Sequence, residues 1–198
     1  MIVPMSWWVL KEACRQMREW QLQLPAAEAL SINVNLASKQ LAQPNIVEQL
    51  LRIIDETGLD PRSLKIEITE DSLIEYGDAS AETLKRIRAL GVQLCIDDFG
   101  TGYSSLSQLS HLPVDVLKID RSFISEIDAA SGRTEIVETI IGLAQALGID
   151  AVAEGIETQR QVEHLKQFRC DHGQGWLFSR AIDSEQAGHL LTMRWSPD

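Results

Sequence analysis

Acidic and polar side chains recur where the short apolar runs of this chain end. Five of them could act together, namely Asn35, Glu67, Asp97, Asp98 and Glu154. Carboxylates that share one site repel one another unless a cation binds among them. Carboxylate oxygens with one amide carbonyl suit Mg²⁺, Mn²⁺ or Ca²⁺ rather than zinc. Asp97 and Asp98 could serve two such ions, with one carboxylate bridging, which is a common arrangement for phosphodiester hydrolysis.

Lys118 is the cationic residue of this set, and it also lies at the end of an apolar run. Its ammonium could hold a phosphate oxygen or position an attacking water. The alternative is a lysine that forms a Schiff base, which also occurs on barrel strands. That chemistry needs a neutral amine, whereas neighbouring acids would raise the pKa of Lys118. The residues therefore favour metal-assisted hydrolysis.

Six β-branched runs alternate with amphipathic stretches. The predicted strands cover residues 31–36, 64–68, 92–97, 114–119, 149–154 and, more weakly, 172–178. The predicted helices cover 6–21, 44–57, 79–90 and 133–147, with two more starting at the capping pairs Thr158/Gln161 and Asp183/Gln186. Strands that alternate with helices in this way are typical of successive βα units.

Two α/β architectures fit this alternation, an open doubly wound sheet and a (βα) barrel. In an open sheet the ligand binds at one switch point, so few strands contribute residues. In a barrel the carboxyl ends of all strands meet at one mouth. Every predicted strand has polar residues at or near its carboxyl end, with Glu70, Asp120, Glu157 and Gln174 joining the set above. The sequence therefore predicts a TIM-like barrel with about six of its eight strands in this chain.

The segment 98–106, which reads DFGTGYSSL, follows a predicted strand and precedes a helix. Gly100 and Gly102 resemble the start of a dinucleotide-binding turn, and Asp120 lies about 20 residues further on, where a ribose-binding acid would stand. However, Ser105 occupies the third glycine position, and Asp97 and Asp98 would repel a pyrophosphate. A glycine-hinged lid that includes Thr101, with Ser104 as a helix cap, is the preferred interpretation.

Composition limits the possible partners and the number of domains. The 198 residues suit one domain spanning 1–198, and 29 acidic against 18 basic residues give a net charge of −11. Such a charge argues against a duplex nucleic-acid binder, which needs a basic face. The three cysteines lack C-x-x-C spacing, which indicates buried thiols and a cytoplasmic location. No apolar run reaches the length of about 18 residues needed to span a membrane, so no membrane contact is expected.

Seven motifs cover nearly the whole chain. They are WVLKEAC (8–14), VNL (34–36), EITE (67–70), DDFGTGYSSL (97–106), LPVDVLKIDRSF (112–123), VAEGIET (152–158) and CDHGQGWLFSR (170–180). Together they resemble the EAL domain family, the bacterial cyclic-di-GMP phosphodiesterases. The resemblance implies a TIM-like barrel that uses Mg²⁺ or Mn²⁺ to hydrolyse one phosphodiester of cyclic di-GMP, giving linear pGpG.

The resemblance also implies roles for individual residues. The implied metal ligands are Asn35, Glu67, Asp97 and Asp98. Glu154 resembles the acid that binds or orients the catalytic water, and Lys118 the lysine beside that water. Glu70 resembles the residue that anchors the lid, and the lid of the family takes part in dimers, which implies a homodimer. The implied supporting residues near the substrate are Asp120, Glu157 and Gln174.

The chain departs from the family pattern at its start. The E-A-L motif and the arginine that follows it are absent, and they would lie upstream of Met1. We therefore expect an N-terminally truncated domain with impaired activity. The alternative function is a non-catalytic EAL-like module that acts as a nucleotide receptor or interaction domain. Trp176 stands where the family usually has Tyr, and Ala181 where it usually has Pro.

Overall fold

The structure is a computed structural model that describes residues 2–24, 29–102, 109, 111–127 and 134–192, with side chains throughout except at 74–80. Six strands form one sheet in the order in which they follow along the chain. They are β1 (Ile32–Asn35), β2 (Leu64–Thr69), β3 (Gln93–Phe99), β4 (Val116–Ile119), β5 (Asp150–Ala153) and β6 (His172–Gly173). The predicted α/β class is confirmed, since the described residues supply six strands of a TIM-like barrel sheet.

Helices connect the strands. They are α1 (Ile2–Gln23), α2 (Ser38–Leu41), α3 (Ile46–Thr57), α4 (Glu70–Ala89), α5 (Arg121–Glu126), α6 (Thr134–Leu147), α7 (Gln159–Gln167) and α8 (Ser184–Thr192). The two capping pairs are confirmed, because Thr158 accepts a hydrogen bond from the amide of Gln161, and Asp183 accepts one from the amide of Gln186. The short helices α2 and α5 and a 3₁₀ turn at Pro61–Ser63 were not predicted.

Two predicted boundaries are wrong. Helix α4 begins at Glu70 rather than near 79, so Glu70 opens a helix and does not end a strand. Glu70 and Asp71 are favourable there because negative charge stabilises a helix amino terminus. The last strand was predicted to run to 178, but it ends at Gly173. Beyond that point the backbone pairs with the loop after β5, since Ile156 N donates to Gln174 O and Leu177 N donates to Ile156 O.

The chain divides into two compact units. The first contains 1–66, 86–93 and 181–198, and the second contains 67–85 and 94–180. In the first unit, α1 packs against α3 and β1 and buries Leu10, Cys14 and Met17. In the second unit, β4 is buried along its whole length, as expected for a parallel strand covered on both faces. None of the described helices is long and apolar enough to cross a membrane.

The second unit carries the predicted site residues, except Asn35, which ends β1 in the first unit. Strands β3, β4, β5 and β6 pair in parallel, so their carboxyl ends lie at the same edge. This arrangement brings together residues that are far apart in the sequence. The expected single domain spanning 1–198 stays a prediction.

Candidate active site

Lys118 on β4 is the centre of the charged cluster in the second unit. Its side chain is 4% exposed, and its Nζ lies 2.7 Å from Glu67 Oε1, 2.9 Å from Asp97 Oδ1 and 2.6 Å from Glu154 Oε1. Glu67 is on β2, Asp97 is on β3, and Glu154 directly follows β5. Four neighbouring strand segments therefore contribute one charged side chain each to the same point.

The electrostatics of the cluster keep Lys118 charged. Burial by itself lowers the pKa of Lys118, but hydrogen bonds to Glu154, Glu67 and Asp97 raise it above its ordinary value. A neutral amine, which Schiff-base chemistry requires, is therefore disfavoured. Burial raises the pKa of Glu154, an effect that the contact with Lys118 opposes.

Asp98 joins this cluster through a local irregularity in β3. In a regular strand, successive side chains point to opposite faces, which would separate Asp97 from Asp98. Here the register with β4 shifts between Ile96 and Phe99, and Asp98 has a left-handed φ of 56°. As a result, one carboxylate oxygen each from Asp97, Asp98 and Glu154 lie within 4.8 Å of one another.

These three carboxylates fit a divalent cation. All their donor atoms are oxygens, which suits a hard cation such as Mg²⁺, Mn²⁺ or Ca²⁺. Burial raises the pKa of Asp98, and the negative charges of Asp97 and Asp120 raise it further. A bound cation would relieve this repulsion. The ligand roles predicted for Asn35, which is exposed, and for Glu67, which pairs with Lys118, stay predictions.

Glu70 contacts the start of the predicted lid. It is 3% exposed, and its Oε2 accepts hydrogen bonds from Gly100 N at 2.9 Å and Gly102 N at 3.3 Å. Gly100 has a φ of 96°, and a Cβ at that position would lie 2.9 Å from the ring of Phe123. Thr101 Oγ1 donates to Asp98 O at 2.8 Å. The rest of the lid, including the predicted cap Ser104, lies outside the described residues.

The remaining predicted residues divide into two groups. Gln174 joins the cluster, since its Nε2 donates to Glu154 Oε1 at 2.6 Å. Asp120 instead caps α5 and accepts a hydrogen bond from the amide of Ser122 at 2.9 Å. Glu157 lies 3.4 Å from Arg121, and both side chains are substantially exposed.

Sequence reasoning missed Arg121 as a residue of this region. Its guanidinium lies 5.4 Å from the ring centroid of Trp176, and the guanidinium of Arg180 lies 4.5 Å from the same ring. No sequence signal pointed to the contact between Arg121 and Trp176, because it joins α5 to a segment that is distant in the sequence. Gln161 was predicted as a capping residue, and its contact with α5 was also missed.

The EAL domain model matches residues 1–181. The chain belongs to the EAL domain family. Among its curated relatives, the cyclic di-GMP phosphodiesterase NbdA of Pseudomonas aeruginosa is 43% identical over 182 residues, covering 92% of this chain and 23% of NbdA. The bifunctional diguanylate cyclase/cyclic di-GMP phosphodiesterase MucR of the same organism is 42% identical over 187 residues, covering 94% of this chain and 27% of MucR. This EAL domain therefore spans about a quarter of the length of these relatives.

Solved structures of EAL domains have the same fold. The PaMucR phosphodiesterase in complex with c-di-GMP matches with a TM-score of 0.89 and 42% identity, over 94% of this chain and 74% of that one. The EAL domain of Mycobacterium smegmatis DcpA matches with a TM-score of 0.90 and 39% identity, over 96% of this chain and 85% of that one. The family resemblance seen in the sequence motifs is thus confirmed.

Proposed function

We propose that this EAL domain hydrolyses one phosphodiester bond of cyclic di-GMP to linear pGpG in a metal-dependent reaction. The observation that carries the proposal is the group of carboxylates of Asp97, Asp98 and Glu154 beside the buried Lys118. Its relatives with this domain include proteins named as cyclic di-GMP phosphodiesterases. The alternative is a non-catalytic receptor or interaction module.

The proposed cofactor is one or two Mg²⁺ or Mn²⁺ ions. Asp97 and Asp98 would hold the cation, and the carboxylate of Glu154 lies beside them. Asn35 and Glu67 are further proposed ligands, which the family resemblance implies. When bound, such an ion would supply a positive charge that polarises a phosphoryl oxygen and lowers the pKa of a water molecule. The carboxylates supply the negative charge that favours a divalent cation over a monovalent one.

Glu154 is the proposed acceptor of the proton that leaves the attacking water. Lys118 and Gln174 both bond to its Oε1 at 2.6 Å, which fixes the orientation of the carboxylate. We assign its Oε2 to the contact with water. Burial raises the pKa of Glu154 and thereby strengthens it as a base.

Lys118 acts in this proposal by holding the carboxylates in place. An ammonium has three N–H donors, and three carboxylates lie within 2.9 Å of Nζ. A direct contact with a phosphate oxygen would require one of these bonds to break. The proposed role of Glu70 is to anchor the lid through Gly100 and Gly102, while Asp120 and Glu157 support the loops around the site.

The proposed partners are cyclic di-GMP and a second copy of the chain. The homodimer rests on the resemblance of segment 98–106 to a family lid that takes part in dimers. The net charge of −11 disfavours duplex nucleic acid as a partner. We also propose a cytoplasmic location, because Cys14, Cys95 and Cys170 are free thiols, as is common in a reducing compartment.

The test is hydrolysis of cyclic di-GMP by the purified chain with Mn²⁺ or Mg²⁺, with pGpG resolved by chromatography. Glu154→Gln keeps the shape of the side chain but removes the base, so kcat should fall by about 10²–10⁴-fold. The matched control is Glu138→Gln, an exposed acid on α6, which should leave kcat unchanged. Tight binding of cyclic di-GMP without turnover would instead favour the receptor. If the chain neither binds nor hydrolyses cyclic di-GMP, the proposal is refuted.

A further inference from the structure

The loop after β5, residues 154–158, packs against the short helix α5. We propose that α5 is a rigid support, called the splint below, that fixes the orientation of the Glu154 and Gln174 side chains. Gln161 and Arg121 are the positioning residues that connect it to the loop. This inference rests on the proposed function and names residues that support the same site. It follows from two contacts that connect this loop with α5, one through Gln161 of α7 and one through Arg121 of α5. A set of backbone hydrogen bonds then passes the constraint to Gln174.

The first contact is made by Gln161, which is 4% exposed. Its Oε1 accepts hydrogen bonds from the amides of Glu157 at 2.8 Å and Thr158 at 3.1 Å. Its Nε2 donates to the carbonyl of Ile124 in α5 at 3.2 Å. In a capping box, the side chain of the third helical residue needs only to accept a hydrogen bond from the amide of the cap residue, here Thr158. The bond to Ile124 therefore adds a second function, because it ties the loop to α5.

The second contact is made by Arg121, the first residue of α5. Its aliphatic stem lies against Gly155, where a Cβ would come within 2.7 Å of Arg121 Cβ. Its guanidinium lies 3.4 Å from Glu157 Oε1 and 5.4 Å from the ring centroid of Trp176. Arg121 thus connects the loop after β5 to the loop after β6.

Backbone hydrogen bonds carry this constraint to the reacting groups. Ile156 N donates to Gln174 O at 3.0 Å, and Gln174 N donates to Ala153 O at 2.8 Å. A Cβ on Gly173 would lie 2.5 Å from Ile156 Cδ1, so the side chain of Ile156 packs closely against β6. A shift of Ile156 would therefore move Gln174 and the bond it donates to Glu154.

Helix α5 is suited to this role because it directly continues the strand that carries Lys118. Only Ile119 and Asp120 separate Lys118 from Arg121, so α5 moves with the ammonium that binds Glu154. Holding the loop against α5 keeps the carboxylate of Glu154 within hydrogen-bond distance of Lys118 Nζ. A catalytic carboxylate must be held within about 0.5 Å of its productive position, which a loop without such support does not achieve.

The discriminating variant is Gln161→Glu. A carboxylate still accepts from the amides of Glu157 and Thr158, and an acidic residue in the first turn suits the helix dipole of α7. It has no N–H to donate to Ile124 O, and its second carboxylate oxygen would repel that carbonyl, so the connection to α5 is broken. If Gln161 is only a cap, activity stays unchanged. If α5 is a splint, kcat should fall about 10–100-fold with KM within about threefold, and the Kd for Mn²⁺ should rise about 10-fold.

One further variant controls for stability, and another tests the second contact with α5. Asp183→Ala removes the cap bond of α8, a helix without any predicted site residue, so it should lower Tm but leave kcat and the Kd for Mn²⁺ unchanged. Arg121→Met keeps an unbranched stem over Gly155 but lacks the contacts with Glu157 and Trp176. It should lower kcat and weaken Mn²⁺ binding in the same direction as Gln161→Glu, and it keeps the proposal testable if Gln161→Glu does not fold.

Amide hydrogen exchange separates this proposal from the proposed function, because it needs no turnover. In Gln161→Glu, exchange at the amides of Ile156 and Gln174 should quicken about 10-fold while that of Thr158 is retained. If the parent chain does not hydrolyse cyclic di-GMP, the proposed function fails, but exchange and Mn²⁺ affinity still decide the role of α5. Exchange or Mn²⁺ affinity within twofold of the parent in Gln161→Glu would overturn the splint.

Discussion

Replacing Lys118 by Met tests how far the buried ammonium holds the carboxylate cluster together. Methionine has a similar unbranched stem, so the substitution removes the charge with little change in volume. The three carboxylates that contact Nζ would then face one another without the ammonium between them; they are those of Glu67, Asp97 and Glu154.

The expected loss of stability follows from their burial. Removing one partner of a buried ion pair costs about 3–5 kcal/mol. The Glu67 side chain is 6% exposed, so water cannot replace the ammonium there, whereas Asp97 and Glu154, at 13% and 15%, gain some solvation. We therefore expect Lys118→Met to lower the free energy of unfolding by about 3–5 kcal/mol near neutral pH.

The pH dependence has a defined sign. The folded-state pKa of Lys118 is raised, so its contribution to stability is complete at neutral pH and is lost only as pH rises through that value. In Lys118→Met the pKa of Glu154, which burial already raises, should rise further, because the contact with Lys118 that opposes this effect is lost. A carboxyl group with a raised folded-state pKa favours folding below its unfolded pKa of about 4.3 and loses that contribution as pH rises. The difference in free energy of unfolding between parent and Lys118→Met should therefore shrink as pH falls from neutral towards about 4.3.

The assay is urea unfolding followed by circular dichroism at several pH values, on parent and variant without added metal. The control is Lys11→Met, because Lys11 lies 2.6 Å from Glu56 but both side chains are well exposed, so no measurable change is expected. A deficit of Lys118→Met below about 1 kcal/mol, or one that does not shrink on acidification, would refute the reasoning.

Three other substitutions or probes test separate parts of the structure. Glu70→Gln should destabilise the chain by about 1.5–3 kcal/mol, because a neutral amide is a weaker acceptor for the amides of Gly100 and Gly102, and limited proteolysis should cut segment 98–106 faster. Gly100→Ala should lower Tm, because its φ of 96° and the nearby Phe123 ring disfavour a Cβ, whereas Gly142→Ala in α6, with open space around it, should raise Tm. Cys14 should resist thiol reagents near pH 8 in the folded chain, because burial raises its pKa to about 12.

Each of these has a clear contrary result. Unchanged proteolysis in Glu70→Gln would show that this carboxylate does not hold the start of the segment. Equal Tm shifts for the two glycine variants would contradict the close approach of Phe123 to Gly100. Modification of Cys14 at the rate seen in urea, measured by peptide mapping, would contradict its burial.

The sequence determined the order of the strands, most of the long helices and which charged residues the fold could bring together. The short apolar runs predicted five strand positions to within about two residues at each end. This works because a strand that is buried on both faces must be apolar on both faces, whichever position it takes in the sheet. Acidic residues at strand ends predicted the cluster of Asp97, Asp98 and Glu154, because carboxyl ends of parallel strands share one edge. The motifs then predicted the family.

Only the tertiary structure decided how these groups are held. It is the irregularity of β3 at Asp98 that places adjacent aspartates at one site, and it depends on pairing with β4. The last strand ends early because Gln174 and Leu177 bond to Ile156, a residue that local sequence does not connect with them. The ties from Gln161 and Arg121 to other loops also join segments distant in sequence. Periodicity records which residues are buried, but the contact that orients a side chain depends on which segments the fold brings beside it.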